Sequence, residues 1–463
     1  MTGRTWVRLD NASNIFLAAR TDADPKVFRL SAETDHEVDP VLLQQALDTT
    51  YESYPLYHAV LRRGVFWYYL QDSDLRPHVT GEELHTCAPI YRADRRTLLF
   101  RVTHHLRRIN LEVFHALSDG TGALWFLTDL VTAYHRLRHP DQPHEPRPLD
   151  PEPARGLTGD SFAEYFRRQA TPAALTVPAA GTAREPGPPE PSAQNRRHPA
   201  PADQRATTVY RVRGTRTPDH RTRAVELTVP AQDVLALARA EGVSLTLYLT
   251  ALFFESIRRS SGGLGRHRTL AVSVPVNLRQ FFPSTSARNF FATVRVEHTY
   301  GEGGGEEADS IGSVARQLEA QFRPKATPEA LEAKLRRFIR FERMPVLRVL
   351  PRPLKDLMLG LVNRATNRGL TVAISNMGRV SLPAPAEEHV GRMFLHVSAA
   401  RPQFCVVSHA GLLTVSFSSP FTETGHIREF ARVLTGHGVD VAVAAARVTE
   451  EELAEVDPGG VHP

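Results

Sequence analysis

The sequence predicts an α/β (α+β) fold of two lobes, each a mixed sheet with flanking helices, around a ligand cleft. Three observations predict it. Strand-like and helix-like stretches follow one another twice along the chain. Between the two series, from about 139 to 207, Pro, Arg, Ala and Glu dominate, with clusters such as Glu185-Pro-Gly-Pro-Pro-Glu-Pro-Ser, a linker composition. Late in the first series a strand ends in a turn that opens a long helix, which can present a side chain to a cleft on rigid support. The expected divisions are 1–150 for the N-terminal lobe, 151–207 for the Pro-rich linker and 208–463 for the C-terminal lobe.

The elements justify this order. Residues 5–20 form an opening segment, and Val27-Phe-Arg-Leu reads as a strand. Residues 39–54 carry Val41, Leu42, Ala46 and Leu47 on one helical face, and Pro55 ends the helix. Strand signals follow at Ala59-Val-Leu-Arg, Val65-Phe-Trp-Tyr-Tyr-Leu and Leu98-Leu-Phe-Arg-Val-Thr. Phe162 to Phe166 suggests a short helix inside the linker. Beyond it come a strand at Ala224-Val-Glu-Leu-Thr-Val, a helix over 234–240, and another from Ser244 with Leu245, Leu249, Leu252, Phe253 and Ile257 in one core-facing stripe. Thr269-Leu-Ala-Val-Ser-Val-Pro-Val and Phe290-Phe-Ala-Thr-Val-Arg-Val read as strands. Residues 309–323 and 328–342 read as amphipathic helices, and Leu357 to Val362 as an apolar patch. The last strands are Val372-Ala-Ile-Ser, Phe404-Cys-Val-Val-Ser and Leu412-Leu-Thr-Val-Ser-Phe-Ser, before a helix over 424–434.

Composition narrows the class. The 463 residues are 41% hydrophobic and 23% charged, as expected of a globular chain with real cores. No apolar run approaches the roughly 20 residues that cross a bilayer, and the N-terminus lacks the apolar region of a signal peptide. A cytoplasmic monomer is expected. The net charge of +5 is carried almost wholly by Arg, the lysines being Lys26, Lys325, Lys334 and Lys355. That balance suits an anionic ligand or an acidic carrier protein. The Arg residues are scattered rather than striped with stacking aromatics, which argues against nucleic acid. Cys87 and Cys405 offer neither a metal spacing nor a disulfide framework.

The chemistry centres on Ile109-Asn-Leu-Glu-Val-Phe-His115-Ala-Leu-Ser-Asp119-Gly120-Thr-Gly122. Ile109, Leu111 and Val113 alternate as in a strand, whereas Leu124, Leu127, Leu130, Val131 and Tyr134 recur as in a helix. Ser118 and Asp119 are good N-caps for that helix. His115 therefore sits at a strand end. A His with a pKa near neutrality can take a proton from a hydroxyl or amine and return it to a departing thiolate. Thioesters are already activated, so direct transfer needs no covalent enzyme intermediate. Asp119 reads as a structural carboxylate held by an Arg, and Gly120 and Gly122 permit a close bend. Read bare, His-x-x-x-Asp is equally a His that caps a helix and does no chemistry. His104 and His105 make a zinc site with His115 conceivable, but they lie on a separate strand without supporting carboxylates, and no metal is expected.

Phe114-His115-Ala-Leu-Ser-Asp119-Gly120-Thr-Gly resembles the His-x-x-x-Asp-Gly motif of the CoA-dependent acyltransferase superfamily. This includes chloramphenicol acetyltransferases and the condensation domains of nonribosomal peptide synthetases. The resemblance is nearest to its bacterial alcohol acetyltransferase-like group. Arg8-Leu-Asp-Asn11-Ala, Arg63-Gly-Val-Phe-Trp-Tyr-Tyr, Val274-Pro-Val-Asn277-Leu-Arg279, Arg288-Asn289-Phe-Phe, Ser375-Asn376-Met-Gly378-Arg and Thr414-Val-Ser-Phe-Ser-Ser extend it along nearly the whole chain outside the linker.

The resemblance implies two chloramphenicol-acetyltransferase-like lobes with an active-site tunnel at their interface. His115 would be the general base and Asp119 the structural partner of Arg279. Asn289, Ser375 and Asn376 would line the tunnel, with Asn376 a candidate oxyanion donor. The donor would be an acyl-CoA, with no permanently bound cofactor, and the acceptor a small molecule bearing a hydroxyl or amine. Condensation domains carry a second His before the catalytic one; here that position is Phe114. This favours O-acyl transfer, with acetyl one candidate group. Two alternatives stay open: a condensation-like enzyme fed by an acyl or peptidyl carrier protein, and a lobe pair that binds without turnover.

Overall fold

The computed structural model describes residues 6–65, 67–142, 159, 161–167, 209–264, 268–301, 305–342 and 352–454. Most of the expected linker, 151–207, and Phe66 of one expected strand lie outside the described residues.

Two larger sheets carry the fold. The N-terminal one is built from β2 (Val27–Thr34), β5 (Val79–Gly81), β6 (Phe100–His105), β7 (Arg108–Phe114) and β12 (Val390–Val397), in the order β12-β2-β7-β6-β5. All neighbours are antiparallel except β5 and β6. The second has seven strands: β8 (Arg223–Pro230), β9 (Arg268–Asn277), β10 (Phe291–Tyr300), β11 (Val372–Arg379), β13 (Gln403–His409), β14 (Leu412–Ser419) and β15 (Ala442–Ala445). Their order is β10-β9-β11-β13-β14-β8-β15, with β11 parallel to both neighbours. A small third sheet joins β1 (Trp6–Arg8), β3 (Val60–Arg63) and β4 (Tyr68–Gln71).

Strand β12 breaks the order expected from the sequence. It lies far into the second series, yet it pairs with β2, Met393 opposite Ala32 and Phe394 opposite Ser31. Gly391 and Arg392 interrupt its apolar run, so no local periodicity announced it. The crossing is held by charge. Arg392 reaches Glu33 at 2.6 Å, and Arg108 on β7 forks onto Glu226 of β8 at 2.7 and 2.8 Å.

Each sheet buries one face under helices. In β7, Ile109, Leu111 and Val113 point into a core with Phe126, Leu127, Leu130 and Val131 of α3 (Gly120–Arg138) and Leu43 and Leu47 of α2 (Pro40–Glu52). The alternate residues are equally buried but paired: Asn110 accepts from Ser31 at 2.7 Å, and Glu112 is held by Arg29 and Arg101. A polar face of this kind is tolerated where its charges are paired, although the Asn110 side-chain nitrogen has no partner among the described residues. In the second lobe, Leu247 to Ile257 of α5 (Leu245–Ser260) pack on the seven-stranded sheet with Phe430 and Leu434 of the helix Gly425–Gly436. The short helical turn Ala163–Arg167 lays Phe166 in this second core, beside Phe290.

Among the described residues no single helix is long and apolar enough to cross a membrane.

Candidate active site

The space between the sheets is a cavity of about 290 Å³. The first lobe contributes Lys26 to Phe28, His115 and the start of α3; the second contributes ends of β9, β10, β11 and β13. His115 follows the last residue of β7, and its backbone N–H donates to the Lys26 carbonyl at 2.8 Å. Its ring stacks on Phe16 of α1 (Asn11–Ala19), with centroids 3.9 Å apart, and meets the edge of Phe28 at 5.0 Å.

Asn289 sets the proton on that ring. Its amide nitrogen donates to the His115 carbonyl at 2.8 Å and to Ser13 Oγ at 3.1 Å. Both donors being used, its oxygen faces His115 Nδ1 at 3.2 Å. An oxygen opposite Nδ1 requires the proton there, which leaves Nε2 with its lone pair. Nε2 has no hydrogen-bond partner among the described residues. Burial pushes the imidazole pKa down to about 4, against a smaller upward pull from Asp119. The ring is therefore neutral at neutral pH, the state a base needs.

Asp119 is committed to structure. It caps α3 by accepting from Gly122 N–H at 2.9 Å. Its other oxygen accepts from Arg279 at 2.7 Å and from Phe290 N–H at 2.8 Å. Arg279 also donates to the carbonyls of Ser286 and Arg288 at 2.8 and 2.7 Å. One carboxylate thus ties the His115 turn to the loop that carries Asn289. The fit is close: a Cβ on Gly122 would stand 2.1 Å from the Ala287 carbonyl oxygen, whereas one on Gly120 would meet the flexible end of Met377 at 2.9 Å.

The other expected residues fall in two groups. Ser375 and Asn376 line the cavity, and the Asn376 amide donates to Thr246 at 2.8 Å. Asn289 was expected on the cavity wall; it stands behind His115, 2% exposed, as the partner of the ring. His104 and His105 lie at the hairpin end of β6, opposite Ile109 and Arg108. That is about 20 Å along the strand from His115, too far for shared ligation.

Sequence reasoning missed Phe16, Phe28, Lys26 and Arg401 on the cavity wall. Lys26 adopts a left-handed backbone (φ 59°) and pairs with Asp24. Burial pulls the Arg401 guanidinium below its ordinary value. Arg288 is 1% exposed and donates to the Arg8 carbonyl at 2.9 Å. It joins two stretches, Arg8-Leu-Asp and Arg288-Asn-Phe, that the sequence marked separately.

No family model matches the chain, and neither does any curated protein. Solved structures do. A structure of polyketide synthase associated protein 5 from Mycobacterium tuberculosis aligns over 92% of this chain and 96% of that one, with TM-score 0.57 and 15% identity. F. sporotrichioides TRI101, complexed with coenzyme A and T-2, aligns over 94% and 99%, with TM-score 0.59 and 11% identity. These likenesses show a shared fold along nearly the whole length of both chains. The epimerization domain from the third module of tyrocidine synthetase B shares it, over 94% of this chain and 96% of that one, with TM-score 0.51 and 11% identity.

Proposed function

We propose that the protein is an acyltransferase that moves an acyl group from a CoA thioester to a hydroxyl of a small acceptor. His115 Nε2 takes the hydroxyl proton as the oxygen attacks the thioester carbonyl. The tetrahedral intermediate then expels the thiolate, which receives the proton from the imidazolium. No covalent bond to the protein forms; much of the rate comes from holding both reactants beside one base. The observation that carries the reading is the pairing of His115 Nδ1 with the Asn289 amide oxygen on the wall of an inter-sheet cavity. Lys26 and Arg401 on the same wall suit a phosphate-bearing donor.

The test is thiol release from a panel of acyl-CoAs offered with alcohols and amines, run beside acyl-loaded carrier protein. Turnover with acyl-CoA, reduced by about 10²–10⁴-fold in His115→Ala, is the expected result. Turnover only from the loaded carrier protein would move the assignment to a condensation-like enzyme. Binding without any turnover would leave a non-catalytic lobe pair.

A further inference from the structure

Away from the cavity, at the far end of α3, four imidazoles converge. His135 and His139 lie one helical turn apart, and His389 directly precedes β12. Ring centroids are separated by 5.2 Å between His135 and His389 and by 4.1 Å between His139 and His389, and His36 stands within 6.4 Å of all three. Candidate ligand nitrogens of His135, His139 and His389 all lie within 4.8 Å of one another.

The nitrogens are oriented for a guest. His135 is fully buried, yet among the described residues neither ring nitrogen has a hydrogen-bond partner, and His139 Nε2 is likewise buried without one. Buried polar atoms left unmatched cost free energy unless something fills their lone pairs. Asp35 accepts from His389 Nδ1 at 2.8 Å and contacts His36 Nδ1 at 2.5 Å. With its proton on Nδ1, His389 turns a lone pair inward at Nε2. A carboxylate behind a ligating imidazole is the usual outer support of a metal site. That Nε2 accepts from the Gln142 side-chain amide at 3.3 Å, a bond an entering ion would replace, leaving Gln142 in reach of a fourth position.

We infer that His135, His139 and His389 form a binding site for a divalent transition-metal ion of zinc type, supported by Asp35. Two His at i and i+4 on one helix face are a frequent zinc pair, and neutral imidazole suits this class of ion. Ligand nitrogens around tetrahedral zinc stand about 3.4 Å apart, so the rings need to move inward by roughly an ångström. The ion would tie the end of α3 to the start of β12, joining the strand from the second half of the chain to the first lobe. This inference does not rest on the acyl-transfer reading.

The experiment is calorimetric titration of the chelator-dialysed, full-length protein with Zn²⁺, beside metal analysis and thermal melts. One Zn²⁺ per chain and a Tm that rises with Zn²⁺ are expected. His139→Gln and His389→Gln should each weaken binding by tenfold or more, and Asp35→Asn by roughly ten- to a hundredfold. His105→Gln, at the hairpin end of β6, should leave it unchanged. Circular dichroism establishes that each variant is folded; His139, less buried than His135, provides the variant least disturbing to the core. Failure of the folded protein to bind Zn²⁺, Co²⁺ or Ni²⁺, or unaltered binding in His139→Gln, would overturn the site.

Discussion

The two ends of α3 make opposite use of buried polar groups. At its N-terminus Asp119 is 4% exposed and both oxygens are taken, by Gly122, Arg279 and Phe290. At its C-terminus His135 is fully buried and neither nitrogen is taken by any described residue. A group whose lone pairs are all engaged fixes geometry; one left open invites a ligand. His115 combines both states in one ring, with Nδ1 held by Asn289 and Nε2 without a partner among the described residues.

The strongest way to break that contrast is at the satisfied end. Asp119→Ala removes the cap of α3 and leaves Arg279 charged in a closed setting, 7% exposed. Losing one partner of a buried pair costs about 3–5 kcal/mol, read as a lower denaturant midpoint. A midpoint within experimental error of the parent would show that the ring of contacts around Asp119 is dispensable.

Asn289→Ala is the next. It strands the Nδ1 proton, the His115 carbonyl and Ser13 Oγ together, at about 1–3 kcal/mol. Without the oxygen that selects the tautomer, kcat should fall while KM changes little. An unchanged kcat would separate the tautomer from the chemistry.

Acid is the mildest probe. His115 is held near 4, so the rate should stay level from pH 8 to about 5 and fall only as pH drops through about 4. An unfolded His titrates near 6.5, so between about 6.5 and 4 the unfolded chain binds more protons than the folded one. The stability contributed by neutral His115 is complete above about 6.5 and is lost progressively towards 4. Since Asp119 favours the imidazolium, Asp119→Asn should move the acid limb of the rate to lower pH. A limb near pH 6.5 in the parent would show that the ring is solvated in the working protein.

Much of this arrangement was legible because it is local. The change from period two over Ile109–Val113 to helical spacing from Leu124 placed His115 at a strand end and Asp119 at a helix start. What was illegible is long-range. Nothing near Asn289 says that its amide closes on a carbonyl 174 residues earlier. Strand β12 takes its partner from the other end of the chain, and its own residues show no clean alternation. His135 and His139 have a readable spacing, but the third imidazole, His389, is brought to them only by that strand.

The placement of β12 bears on how the protein can open. A strand drawn from one half of the chain and stitched into the sheet of the other acts as a latch across the cleft. Hinged gaping would require its ladder with β2 to unzip, so a ligand of the cavity would have to thread its way in past side chains. For the same reason the first 150 residues, produced alone, would present β2 as a bare edge, ready to pair with a neighbouring molecule.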